Sequence, residues 1–200
     1  MIHRLAKQAT LVLISGNVAK VEEEDIYTYA FENIISTTIH ILLCLMLSTF
    51  FGLVIEGVVF MVCFALLRRF AGGHHAKQHW SCIITFAIIF NSMLIIISLM
   101  PIQIYSATAI LASLISVCII YNLAPVEHEN KPIYQGQQKV LRIKSRILVS
   151  VMSLIVIIGM FSNANSIFLA IALSMMFVTG SMTYAKHIKR KVVMNYEEPR

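Results

Sequence analysis

The stretch Arg68-Arg-Phe-Ala-Gly-Gly-His-His-Ala-Lys-Gln-His-Trp-Ser-Cys82 is a polar island between two long apolar runs. It holds three of the seven histidines, the single tryptophan and one of the four cysteines. Such a concentration of chemically active side chains is unusual in a chain this apolar. The flanking runs indicate that the island is held at a membrane surface.

Composition defines the class of protein. The 200 residues are 58% hydrophobic and 13% charged, against about 25% charged in ordinary soluble domains. The mean hydropathy is +0.79. A soluble domain of this size has too little interior to hide so much apolar surface, so we predict an all-α integral membrane protein. Residues 1–200 are expected to form one membrane-embedded domain.

The apolar runs have the lengths of membrane-spanning helices. Residues 34–67 carry a single charge, Glu56, and as one helix they would be about 51 Å long. A hydrocarbon core is about 30 Å thick, so the chain must fold back, and Gly52, Glu56 and Gly57 mark the expected turn. The sequence predicts about six spans, at residues 33–51, 54–69, 82–99, 104–121, 147–161 and 167–185.

Positive charge gives an independent test of this topology. All sixteen Lys and Arg residues fall in the N-terminal segment 1–25, the 68–82 island, a basic loop at 122–146 or a tail at 186–200. The positive-inside rule then places both termini, the island, the loop and the tail in the cytoplasm. Residues 1–20 favour an amphipathic helix lying in the headgroups, with a frayed basic N-terminus as the alternative.

Cys82 is the candidate nucleophile, because a thiolate with a nearby imidazole is a common catalytic pair. His79 precedes Cys82 by three residues and would be its nearer neighbour on a helix. His75 precedes it by seven, which aligns the faces but separates the residues by about 10.5 Å along the axis. If His75 is the base, the chain must bend between them.

Two other interpretations of the island stay open at this point. His75 and His79 are spaced like a helical zinc pair, and Cys82 or His74 would add a ligand. Alternatively, the island is a re-entrant gate of a small transporter or exporter. A gate should tolerate Cys82→Ser, whereas a thiolate nucleophile should not.

Several motifs of the chain resemble the accessory gene regulator B (AgrB) family. Arg68 is followed by Phe-Ala-Gly-Gly-His-His-Ala, and a cysteine stands seven positions after the second histidine. A second signature, in the loop after the fourth span, matches Ala124-Pro125 and Asn130-Lys131-Pro132-Ile133, and a weaker third matches Tyr29-Ala-Phe-Glu32. Length, span pattern and motif order extend the resemblance over nearly the whole chain.

The resemblance implies a membrane cysteine endopeptidase of bacterial quorum sensing. Its substrate would be an AgrD-like propeptide with an amphipathic N-terminal part and an acidic tail, cleaved and then cyclised to a thiolactone or lactone. By matching positions, His75 is the catalytic histidine and Cys82 the nucleophile. Arg68 and Gly73 match positions tied to activity, and Lys131 lies in the loop motif. His74 and His79 fall outside the matched site positions.

The remaining expectations concern partners and other polar residues. Glu32 is predicted to support the site by orienting His75, or to stabilise a helix N-terminus. His40 and Asn91 are interpreted as interhelical hydrogen-bond residues. We expect a multi-pass protein of the bacterial cell membrane, in contact with lipid and forming a homodimer as the family implies. No cofactor, metal or nucleic-acid partner is predicted.

Overall fold

The computed structural model describes residues 2–16, 18–72, 79–126, 135–159 and 165–197. Within these residues the chain forms α-helices joined by short connections, with single 3₁₀ turns at Val21–Glu23 and Ile102–Ile104. The helices are α1 (Ile2–Ser15), α2 (Glu24–Phe51), α3 (Val54–Ala71), α4 (His79–Leu99), α5 (Tyr105–Leu123), α6 (Gln135–Gly159) and α7 (Asn165–Glu197). The predicted all-α fold is confirmed for this part of the chain.

The N-terminal helix α1 packs against the first half of α2. Its buried residues Ile2, Ala6 and Thr10 recur every four positions and so share one face. Three polar contacts join the helices: His3 Nδ1 to Glu32 Oε1 at 2.7 Å, Lys7 Nζ to Glu24 Oε1 at 3.2 Å, and Thr28 Oγ1 to Thr10 Oγ1 at 3.2 Å. The helix prediction is confirmed and the frayed alternative is wrong, although the apolar Leu5 and Val12 stay exposed.

The turn between α2 and α3 is tighter than the sequence suggested. Gly52 caps α2 at a left-handed φ of 68°, and α3 already begins at Val54. Gly57 therefore lies inside α3, where a Cβ atom would overlap Ser48 of α2. Its missing side chain lets the two helices approach closely. Glu56 accepts a hydrogen bond from Ser166 Oγ at 2.8 Å, so it joins α3 to α7.

Helix α7 is the central element of the bundle. It packs against α3, α4, α5 and α6. Residues 169–175 are all buried, as is typical of a helix enclosed on every side. The helix continues past the predicted span to Glu197 and is about 50 Å long, so the basic tail begins as an extension of the helix.

Among the described residues, four helical segments are long and apolar enough to cross a membrane: Val21–Phe51, Ser81–Leu99, Ile102–Leu123 and Asn165–His187. Helix α3 differs because it carries Glu56, Arg68 and Arg69 within 18 residues. Helix α6 differs because its first half is basic. The predicted loop at 122–146 is helical from Gln135, since apolar residues at Val140, Ile143 and Ile147 recur at helical spacing among the cations.

Candidate functional site

Cys82 lies in the first turns of α4, where its side chain is half-buried. The other three cysteines lie in the middle of helices: Cys44 is buried in α2, Cys63 is half-buried in α3 and Cys118 is exposed on α5. Of the four cysteines, only Cys82 stands near a helix end.

A cavity of about 420 Å³ opens between α2, α3 and α4, and Cys82 is part of its wall. Its volume lies within the range of about 300–1,000 Å³ that is usual for small-molecule sites. Apolar side chains form most of the surface, with Cys82, Arg68, His40 and Thr37 as the polar exceptions. The apolar lining residues are Ile41, Met61, Val62, Phe64, Ala65, Leu66 and Phe86.

Arg68 lies in the last turn of α3 and, like Cys82, lines the cavity. Its guanidinium carbon is 5.5 Å from the centre of the Phe64 ring, one turn earlier on the same helix. The guanidinium is also near enough to Cys82 for a Coulombic attraction to a thiolate at that position. Arg68 and Cys82, both named by the sequence motif, therefore line the same cavity.

The last residues of α3 meet the residues that follow α5. Gly72 and Val126 form an isolated parallel bridge, in which the Val126 N–H donates to the Ala71 carbonyl oxygen at 3.1 Å. Gly72 has a φ of 82°, and a Cβ atom there would collide with the Val126 carbonyl oxygen. The motif that begins at Arg68 and the motif that begins at Ala124 are more than forty residues apart in sequence. This bridge joins the described part of the first to the described part of the second.

The basic first half of α6 lies against the same end of the bundle. Lys144 Nζ is 5.8 Å from the centre of the Phe70 ring at the end of α3. Arg146 donates to the Tyr121 carbonyl oxygen at 2.7 Å and stacks over the Tyr121 ring at 5.1 Å. These contacts place cations of α6 beside the ends of α3 and α5. The opposite ends of α3 and α7 meet at Glu56 and Ser166, as described above.

Glu32 is held by α1. Its contact with His3 at 2.7 Å fixes the carboxylate near the start of α2. The predicted orientation of His75 by Glu32 remains a prediction, because His75 lies outside the described residues. Gly73, His74 and Lys131 also lie outside them. His79 begins α4, three positions before Cys82.

The sequence interpretation did not recognise His40 as a residue of the Cys82 cavity. Its Nδ1 is 2.6 Å from the Ser36 carbonyl oxygen on its own helix, and its ring meets Phe86 of α4 edge-on at 4.8 Å. The predicted interhelical hydrogen bond is therefore wrong for Nδ1, which bonds within α2. A histidine inside an apolar span was the available signal, but only the packing of α2 on α4 shows what it faces.

Within the described ranges, no three His, Cys, Asp or Glu side chains come together in a metal-binding group. The zinc site considered above would need the histidines of the polar island. The side chains of these histidines lie outside the described part of the structure.

Comparison with known proteins identifies the family. The family model for accessory gene regulator B matches residues 4–182. An AgrB-like protein of Clostridium perfringens strain SM101 is 24% identical over 211 aligned positions, covering 98% of each chain. A second AgrB-like protein, from Clostridium perfringens strain 13, is 25% identical over 190 positions, covering 88% of each chain. No solved structure matches at a significant level. The chain therefore belongs to the AgrB family, a family of membrane proteins that take part in processing the propeptide of Agr quorum sensing.

Proposed function

We propose that this protein is a membrane cysteine endopeptidase that removes the acidic tail of an AgrD-like propeptide and cyclises the remaining part. The observation that carries the proposal is the position of Cys82, half-buried beside Arg68 in the wall of an apolar cavity. A thiolate is a strong nucleophile. Family membership supplies the class of substrate.

The reaction has two acyl-transfer steps. His75 takes the proton of Cys82, the sulfur attacks a peptide carbonyl carbon, and the C–N bond breaks. The protonated amine leaves with the acidic tail, and a thioester to Cys82 remains. A thiol or hydroxyl within the bound peptide then attacks the thioester carbon, and the Cys82 sulfur leaves as the ring closes. Gly73 is proposed to support the site, because glycine permits a sharp turn of the chain.

The second step competes with hydrolysis, because water also attacks thioesters. An apolar cavity excludes water from the acyl group. Holding the internal nucleophile next to the thioester supplies an effective molarity of up to about 10⁵–10⁸ M, far above the concentration of water. The mostly apolar lining around Cys82 therefore favours cyclisation over simple proteolysis.

Electrostatic attraction is proposed to select a propeptide with an acidic tail. Lys131, together with the cations of α6, is proposed to attract the acidic tail, and Arg68 attracts the Cys82 thiolate. Glu32 is proposed to orient His75 while it holds α1 in place. Contact with anionic lipid accounts for part of the same positive charge.

The proposed topology adds α3 and α6 to the four apolar spans. The bundle supports this arrangement because α3 runs from the Glu56–Ser166 contact at one end to the Gly72–Val126 bridge at the other. The basic residues of α3 and α6 lie at the bridge end, which we assign to the cytoplasm by the positive-inside rule. Both termini are then cytoplasmic in a multi-pass protein of the bacterial cell membrane. The protein is also proposed to form a homodimer.

The test uses the full-length protein in liposomes and a probe propeptide with an amphipathic N-terminal part, an internal cysteine and a labelled acidic tail. Cys82→Ala and His75→Ala should each abolish release of the tail while insertion is retained. Cys63→Ala and Cys118→Ala are matched thiol controls and should cleave normally. Cleavage by Cys82→Ala, or by protein whose Cys82 is alkylated with iodoacetamide, would refute the thiol mechanism.

His79→Ala separates the two candidate bases. We expect it to retain cleavage, because His79 is closer in sequence to Cys82 but is not the proposed base. Loss of cleavage in His79→Ala with normal cleavage in His75→Ala would show that the base is assigned to the wrong histidine.

A further inference from the structure

His40 shares the cavity with Cys82 although it comes from a different helix. The contact runs through Phe86, whose ring meets the His40 ring at 4.8 Å. Phe86 follows Cys82 by four residues, so the two side chains lie on one face of α4, about 6 Å apart along the axis. His40 is therefore packed against the helical turn that follows the nucleophile.

The hydrogen bond at Nδ1 fixes the tautomer of His40. A carbonyl oxygen only accepts hydrogen bonds, so the 2.6 Å contact to Ser36 requires the proton on Nδ1. The other ring nitrogen, Nε2, then carries the lone pair. Within the described part of the chain Nε2 makes no hydrogen bond. The imidazole is thus anchored at one nitrogen with a basic nitrogen left for a ligand.

The acyl group that forms on Cys82 must occupy this cavity. The thioester carbon is bonded to a sulfur atom of the cavity wall, so the peptide residues next to it extend into the same space. The apolar lining from α2 and α3 suits apolar peptide side chains, and the volume of about 420 Å³ has room for more than one. His40 is the one imidazole among the described lining residues.

We infer that His40 Nε2 is the proton acceptor of the ring-closing step, and that the cavity is the pocket for the acyl part of the propeptide. This inference rests on the proposed function and adds a second base to it. The internal thiol or hydroxyl loses its proton to Nε2 as its sulfur or oxygen bonds to the thioester carbon. The C–S bond to Cys82 breaks, the Cys82 thiolate leaves, and the proton passes from Nε2 back to that thiolate. Each catalytic cycle therefore ends with both groups in their starting states.

The experiment measures the two steps separately with the probe propeptide and full-length protein in liposomes. Release of the labelled tail reports the first step, and mass spectrometry reports the Cys82 thioester, the cyclic product and the linear acid. General-base catalysis contributes about 10²–10⁴-fold, so His40→Gln should slow ring closure about 10²-fold or more. Tail release in the first turnover should stay within about threefold of wild type, so the thioester and the linear acid accumulate.

Two further variants make the result specific. His40→Ala should regain ring closure when imidazole is added, because the vacated space admits the free base, whereas a purely structural defect would not be rescued. Thr38→Val removes a hydroxyl group of the same helix that lies outside the cavity wall, and it should cyclise normally. Normal cyclisation by His40→Gln, or loss of tail release together with cyclisation and no rescue by imidazole, would overturn the inference.

A filling substitution tests the pocket itself. Ala65→Phe narrows the cavity from α3 and should reduce thioester formation at least tenfold while leaving alkylation of Cys82 by iodoacetamide unchanged. If the cavity instead holds only a lipid chain, Ala65→Phe will acylate and cyclise at the wild-type rate, and the pocket assignment fails. Cleavage by Cys82→Ala is the separate outcome that would refute the proposed function.

Discussion

Replacing Gly72 by alanine tests whether the bridge between α3 and α5 holds the candidate site together. Gly72 has φ 82° and ψ −157°, a region of backbone space that is essentially restricted to glycine. A side chain forced into it costs about 1–3 kcal/mol. The added Cβ would also collide with the Val126 carbonyl oxygen, which belongs to the backbone and has no rotamer into which to move.

The strain is relieved only if the bridge opens. Opening it loses the hydrogen bond from the Val126 N–H to the Ala71 carbonyl, measured at 3.1 Å, at a net cost of about 0.5–1.5 kcal/mol. The penalty is therefore about 1–3 kcal/mol if the bridge holds and about 0.5–1.5 kcal/mol if it opens. A displacement of about 1 Å at a catalytic group lowers rates about 100-fold, so Gly72→Ala should reduce cleavage of the probe propeptide to a few per cent.

Two glycines provide matched controls for this experiment. Gly52 has a φ of 68° with no atom within 4 Å of its Cβ position, so Gly52→Ala introduces backbone strain without a collision. Gly180 lies within α7 and has neither feature. Both variants should cleave within about threefold of wild type, with lower thermal stability for Gly52→Ala, by about 1–2 kcal/mol. Cleavage by Gly72→Ala within twofold of wild type, at equal amounts of inserted protein, would refute the reasoning.

Three other substitutions test the packing of the bundle, each by thermal unfolding in detergent. Ser166→Ala removes the hydrogen bond to Glu56 and should destabilise the protein by about 0.6–2 kcal/mol, and an unchanged midpoint would argue against this contact. Gly159→Ala places a methyl group against the Phe168 ring and should cost about 1–3 kcal/mol, an effect that Phe168→Ala in the same chain should reduce. Tyr121→Phe removes only the hydroxyl contact with α6 and should cost about 0.5–1.5 kcal/mol; a loss above 3 kcal/mol would mean that the ring itself has moved.

The helices were largely predictable because hydropathy and glycine placement are local signals. The end of α2 at Gly52 and the break after α4 near Pro101 follow from residues that cannot continue a helix. Helix α6 begins at Gln135, well before the predicted span at residue 147. The high charge of its first half indicates a loop, whereas its apolar residues have the spacing of a helix.

The contacts that build the site are non-local, and no pattern in a single sequence encodes them. Nothing around Gly72 indicates that its neighbour is Val126, more than fifty residues later. Likewise, the approach of His40 to the Cys82 cavity depends on how α2 packs against α4. The sequence could single out Cys82 and Arg68 because both belong to one polar island, whereas His40 is separated from that island by a whole span.

The placement of the site at helix ends explains how so apolar a chain supports charged chemistry. Arg68 lies in the last turn of α3 and Cys82 in the first turns of α4, and the backbone dipole of a helix favours a cation at its last turn and an anion at its first. The two helix ends therefore supply the polarity that the surrounding side chains lack. Cys44, Cys63 and Cys118 have no such environment, because the backbone groups in the middle of a helix are already paired. In the proposed mechanism, a nucleophile at such an end can reach both an acidic tail in water and an apolar acyl group in the cavity.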